Sequence, residues 1–430
     1  MKKIRIYLFV VFCYLFVFIG VTKGEVKNGF LVRGALYLDW MGIQAEDTDF
    51  YSLLSSRLKL TLLNNPGHGW TISIDMRDRF NPGEGGGNRL IIYDARLSYD
   101  RLNKKLFFHL GQMNLYDTAG IGELTGGVVG YKINKYLSLG GYAGLEPDIY
   151  AGKWDTDYNK YGFFLRYRGT GARQFSLSFN RVGFNNQTER QFLYSSLLFP
   201  VKRIVVLYGN VEYELANGIK TEDRLSRLFL NGRIDLSKYV DVTANYSSGR
   251  GLDYHQFILE QSQNPTIQNS EVERYYYNET YGIRLSVKPV KSMRIFVAKR
   301  ESERKDKGIK NHTTWFGLSL SNLFKTGISL FGNYNINRGD ASESDSYYIS
   351  LSRNFGKLSC SLSFADYYNG VRFTGEGTPE VFHLPDRQTV SANVFVVFSR
   401  IFSLSLDYAY SYQKENVEHQ FFVRVIFRKR

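Results

Sequence analysis

The sequence predicts an all-β chain, a transmembrane antiparallel up-and-down β-barrel of about 22 strands, with 18 to 20 as the fallback, and no plug domain. Apolar and polar residues alternate with period two over segments of about ten residues, the length and pattern of a tilted strand crossing a membrane. Short turns and longer polar connections alternate along the chain. Tyr 32 and Phe 32 within 430 residues gather at segment ends, as aromatic girdles do beside a lipid-facing band.

The first segment reads as targeting. Lys2, Lys3 and Arg5 precede an apolar run from Tyr7 to Val21, and Thr22-Lys23-Gly24 places small residues three and one positions before Glu25. This layout predicts a signal peptide over 1–24 and a barrel over 25–430. The run is shorter than the ~20 apolar residues that a spanning helix needs. Losing Lys2, Lys3, Arg5 and Lys23 lowers the formal net charge from +14 to +10 and, with Cys13 gone, leaves Cys360 as the one thiol. No later stretch is apolar enough for a helical span.

Strands are expected at 30–40, 50–63, 70–79, 89–99, 104–114, 125–134, 136–146, 159–169, 173–183, 189–199, 203–215, 224–235, 238–248, 275–287, 291–301, 312–321, 326–337, 345–353, 357–367, 387–398, 401–412 and 417–428. Asn64-Asn65-Pro66-Gly67 is a tight turn after the second. In the ninth, Phe175, Leu177 and Phe179 interleave with Ser176, Ser178 and Asn180. Gly169-Thr170-Gly171 precedes that strand and Pro200-Val201-Lys202 follows the tenth. A long connection at about 249–274 leads to Tyr275, Tyr277 and Tyr281, a girdle ahead of Ile283, Leu285 and Val287. Asn354-Phe355-Gly356 is a turn, and a second long connection is expected at 368–386. Phe402, Leu404, Leu406, Tyr408 and Tyr410 alternate with Ser403, Ser405, Asp407 and Ala409. Phe421, Val423, Val425 and Phe427 give the final strand an apolar face.

Turns are tight after even-numbered strands and longer after odd-numbered ones, which a membrane barrel explains and a soluble sandwich does not. A soluble propeller would repeat four strands per unit, whereas this pattern repeats two. An even count places both termini on one side of the membrane.

Chemistry-bearing motifs are scarce. His68, His109, His255, His312, His383 and His419 show no metal-ligand spacing, and 81–87 is glycine-rich without the Lys-Ser/Thr ending of a phosphate cradle. No catalytic residue, metal or cofactor is assigned, and an enzyme is not expected. Basic residues spread along most hairpins and not over one surface, which argues against nucleic acid as a partner.

Strand parity points Arg57, Arg77, Arg96, Arg166, Arg227, Arg233, Arg284 and Arg294 into the lumen as selectivity candidates, with Arg33, Lys59, Arg168 and Arg424. The same parity turns Asp39, Asp75, Asp94, Glu212, Glu214, Asp235, Asp241 and Asp407 inward. A modest positive excess results. Two outcomes are open: attraction of anions, or pairing across strands that only keeps a wide lumen wet. Tyr254, Phe257 and Phe382, in the two long connections, are the constriction candidates.

Leader, meandering amphipathic hairpins, girdles and an apolar last strand together resemble the Gram-negative outer-membrane β-barrel proteins, most nearly the porins. The likeness is architectural, and the chain departs from it by continuing past Phe427 with Arg428-Lys429-Arg430 where such barrels usually end on an aromatic residue. It implies an outer-membrane location with periplasmic termini. The partners implied are membrane lipid and lipopolysaccharide, the barrel-assembly machinery and small hydrophilic solutes. The function expected is passive diffusion of small hydrophilic solutes, mildly favouring anions. The alternatives are a substrate-specific uptake or export channel, a barrel enzyme, or an adhesive or structural barrel. A plugged, energy-coupled receptor needs a further domain ahead of the first strand, which begins near Phe30.

Overall fold

The computed structural model describes residues 30–429 other than 47–49, 65–68, 81–87, 102, 149–152, 185–186, 203, 218–223, 251–276, 306–307, 341, 374–379 and 415. The leader expected over 1–24 lies outside the described residues. The strands are β1 (Phe30–Ala45), β2 (Tyr51–Asn64), β3 (Trp70–Phe80), β4 (Asn88–Asp100), β5 (Leu106–Asn114), β6 (Glu123–Lys132), β7 (Leu137–Asp148), β8 (Lys153–Arg168), β9 (Gln174–Phe184), β10 (Gln187–Val201) and β11 (Val205–Asn217). They continue as β12 (Leu225–Asp235), β13 (Val240–Arg250), β14 (Tyr277–Val290), β15 (Met293–Arg304), β16 (Ile309–Leu323), β17 (Ile328–Gly339), β18 (Ser342–Asn354), β19 (Leu358–Phe373), β20 (Glu380–Val397), β21 (Phe402–Gln413) and β22 (Asn416–Lys429). A short helix, α1 (Tyr116–Ala119), sits between β5 and β6.

Each strand pairs antiparallel with its sequence neighbours in one 22-stranded sheet. β1 pairs with β22 from Gly34↔Lys429 to Ala45↔Glu418, so the sheet closes into a barrel without a free edge. Closure is what lets strands cross a membrane, because every ladder N–H and C=O finds a partner where water cannot supply one. On the outer face stand Leu110, Val129, Leu139, Phe163, Leu230 and Ile283, with Phe163 69% exposed. Such a band of exposed apolar side chains meets lipid.

The turns after even-numbered strands are short and use local chemistry. Asn134 Oδ1 accepts from the backbone N–H groups of Tyr136 and Leu137, Ser237 Oγ from Tyr239 and Val240, and Ser399 Oγ from Ile401 and Phe402. Asn354 Oδ1 accepts from Gly356, whose φ of 81° suits a glycine. On the opposite side the strands outrun the expected limits. β19 continues to Phe373 and β20 starts at Glu380, with Gly370 opposite His383. The long connection expected at 368–386 is therefore mostly an extended hairpin. Its polar composition reads as loop, but antiparallel pairing satisfies the backbone beyond the ~9–11 residues needed to cross the bilayer. The connection 251–276 lies outside the described residues.

Candidate functional site: a narrowed lumen

The segment between β5 and β6, residues 115–122, folds onto the inner wall. Asn114 Oδ1 accepts from the Tyr116 N–H at 2.8 Å, Ala119 and Gly120 donate back to Leu115 and Tyr116, and the Leu115 N–H closes the loop on the Gly122 carbonyl at 2.8 Å. Gly120 ends the single helical turn with φ 73°. A side chain there would come within 2.5 Å of the Tyr194 ring, so both the backbone angle and the space require glycine.

Apolar contact and hydrogen bonds hold the segment down. Leu115, Ala119 and Ile121 join Met113, Leu124, Tyr142, Phe164, Phe192 and Tyr194 in one buried cluster, with Phe192 at 0% exposure. The hydroxyls of Ser176 and Ser196 both donate to the Asp117 carbonyl at 3.3 Å, and Ser178 donates to the Ala119 carbonyl at 3.4 Å. Lys160 Nζ donates to the Ile121 carbonyl at 2.9 Å and to that of Glu123 at 3.3 Å, and lies 3.0 Å from Glu146 Oε1. From β12, Arg227 donates to the Tyr116 hydroxyl. Asp117 is left exposed on the segment. These wall residues share one face, since the ladder sets Ser178 opposite both Phe164 and Tyr194, and Ser176 opposite Arg166 and Ser196. The segment thus narrows the barrel from within.

By its place between two alternating segments this stretch reads as an ordinary connection. Its composition was the available signal: Leu115, Ala119 and Ile121 are apolar where an exposed loop would be polar. Of the constriction candidates, Tyr254 and Phe257 lie outside the described residues, and Phe382 belongs to β20, opposite Val371.

The charged wall is largely self-paired. Arg57 makes a two-pronged contact with Asp75 at 2.8 and 2.9 Å, and Lys59 approaches the same carboxylate at 3.4 Å. Asp39 holds Arg424 at 2.8 Å and Arg77 at 3.8 Å, joining β1, β22 and β3. Arg96 is 3.4 Å from Asp94. Asp241 gathers Arg294 at 3.0 Å, Lys288 at 3.4 Å and Arg233 at 4.0 Å, and Arg233 also reaches Asp235 at 2.9 Å. Arg190 pairs with Glu212 and Glu214. Arg166, Arg227 and Arg284 differ, having no carboxylate partner among the described residues. Arg284 lies 3.9 Å from the Phe296 ring centre, Arg227 5.6 Å from that of Tyr116, and Arg166 5.6 Å from that of Phe107. Rings neutralise no charge, so these three guanidiniums keep their field.

No known family model matches the chain, and no curated protein does. Among solved structures it is similar to OpdQ of Pseudomonas aeruginosa at TM-score 0.42 and 9% identity, covering 93% of this chain and 97% of that one. It is similar to OccAB4 of Acinetobacter baumannii at TM-score 0.42 and 11% identity, covering 94% and 99%. It is also similar to the translocation pore of the P pilus usher PapC, at TM-score 0.49 and 12% identity, covering 92% and 99%.

Proposed function

We propose that this barrel is an outer-membrane channel through which small hydrophilic solutes diffuse passively, with a mild preference for anions. The observation that carries the reading is the 115–122 segment pinned across the inner wall by Lys160, Ser176, Ser178 and Ser196. A rigid internal constriction is of use to a pore, which must exclude by size while its walls stay wet. The charge pattern supports the second half. Asp39, Asp75, Asp94 and Asp241 are each held by basic groups, while Arg166, Arg227 and Arg284 form no ion pair with a carboxylate among the described residues.

In this reading both termini face the periplasm, and membrane lipid, lipopolysaccharide and the assembly machinery are its surroundings. The test is single-channel conductance of refolded protein in planar bilayers. Stable conducting steps are expected, growing larger when 116–121 is replaced by two glycines. A folded barrel with no conductance would sink the proposal.

A further inference from the structure

The lumen wall is chemically divided. Following the ladder around the barrel, the inward positions of β16 are Asn311, Thr313, Trp315, Gly317 and Ser319, and each faces an inward residue of β17, from Thr313↔Asn337 to Ser319↔Phe331. β18 and β19 continue with serines, Tyr348, Ala365 and Tyr367. Across these four strands no inward position carries a charge among the described residues, up to Tyr367 of β19. On either side the charges return, with Arg284 and Arg294 on β14 and β15, and Arg387 and Asp407 on β20 and β21.

We propose that this wall is a binding track for neutral polyhydroxylated solutes, linear oligosaccharides by class. The inference rests on the channel reading above and names a substrate class for it. Three rings form a staircase. Trp315 sits in the row of Asn335, Tyr348 one step on in the row of Asn333, and Phe331 one step beyond that. Each step is two residues along the strand, roughly 7 Å. The Phe331 and Tyr348 ring centres are 6.0 Å apart. Flat apolar faces stepped along one wall suit the C–H faces of a chain of sugar rings, and polar groups between them suit the hydroxyls.

Those polar groups are present. The amides of Asn333 and Asn335 and the hydroxyls of Ser346 and Ser350 share the rows of the three rings. At the edge of the track Ser363 Oγ of β19 is 2.5 Å from Ser391 Oγ of β20, a hydroxyl pair that can donate or accept as a ligand requires. Charge decides between ligand classes. An anion would be drawn to Arg284 on the neighbouring β14, while an uncharged solute loses no ionic hydration by leaving it. A wholly apolar solute would strip water from the hydroxyls and amides of this wall without replacing its hydrogen bonds.

The test uses refolded full-length protein in planar bilayers, with maltohexaose as the probe. Conductance in potassium chloride alone reports the channel reading. Added maltohexaose should then interrupt the current in a concentration-dependent way. Trp315→Ala and Phe331→Ala, each keeping the salt conductance and β circular dichroism, should raise the half-blocking concentration about tenfold, the equivalent of one lost ring contact. A channel that conducts salt but is not interrupted by maltohexaose, or is interrupted as readily in both variants as in the wild type, overturns the proposal and leaves the channel standing. Stronger interruption by an oligogalacturonate of equal length would move the site to the arginine wall and likewise overturn it. If no salt current appears, maltohexaose should still change the tryptophan emission of the refolded protein, an effect lost in Trp315→Phe. Unchanged emission refutes the track.

Discussion

The Lys160 ammonium, only 4% exposed, donates to the Ile121 carbonyl at 2.9 Å and so ties β8 to the segment that narrows the barrel. Glu146 supplies the opposite charge at 3.0 Å. A buried ammonium with this set of partners is costly to remove, since the carbonyls and carboxylate it serves lose their donor.

Lys160→Met should therefore free the segment without opening the barrel. Removing one member of a buried pair costs about 3–5 kcal/mol, set here against local contacts of 115–122 and not against the 22-strand ladder. Bilayer recordings should show a larger, noisier conductance with β circular dichroism unchanged. A current identical to wild type would mean that Ser176, Ser178 and the apolar cluster hold the segment unaided.

Selectivity should depend on Arg284 more than on Arg233. Arg233 is shared between Asp235 and Asp241, so Arg233→Ser trades a paired charge for none, whereas Arg284→Gln removes a charge whose close neighbour is the Phe296 ring. Reversal potentials across a salt gradient should shift toward cations for Arg284→Gln and barely move for Arg233→Ser. Raising the salt to 1 M should shrink both effects, as the Debye length falls to about 3 Å. Equal shifts would show that pairing on the wall does not decide the field.

Asp39 should matter for the barrel seam. It accepts from Arg424 at 2.8 and 3.1 Å across the β1–β22 junction and lies 3.8 Å from Arg77. Asp39→Ala would leave two guanidiniums side by side on a half-wet wall, for about 1–3 kcal/mol of charged hydrogen bonding. The heat-modifiable folded band on a gel should convert at a lower temperature than wild type. Conversion at the wild-type temperature would place the seam's strength in its backbone ladder alone.

Cys360 pairs with Arg353 and Val394 in the ladder and shares its sheet face with Leu362, which is 54% exposed on the outside. A membrane-impermeant thiol reagent should leave it unmodified in intact membranes and label it after denaturation. Rapid labelling of the folded protein would place it in the lumen and invert the parity of β19.

The sequence by itself determined the strand number and which residues share a face, because both follow from a local rule. Side chains alternate every residue along an extended chain, and turns such as Asn354-Phe355-Gly356 carry their own hydrogen-bond chemistry. Ser176, Ser178 and Asn180 could be assigned to one face from that rule alone. What only the tertiary structure decided is who meets whom. Asp39 and Arg424 stand 385 positions apart and touch because the sheet closes. Whether Arg233 is neutralised and Arg284 is not depends on register, which sets the neighbour across the ladder and leaves no trace in either strand's own pattern. β19 and β20 run beyond their alternating pattern for a related reason, since polar residues beyond the membrane extend the hairpin once a partner strand lies alongside. The 115–122 segment is the clearest case. Its three apolar residues hint at burial, but the wall that buries them is assembled from Lys160, Ser176, Ser178 and Ser196 on later strands, and only folding brings that wall to it.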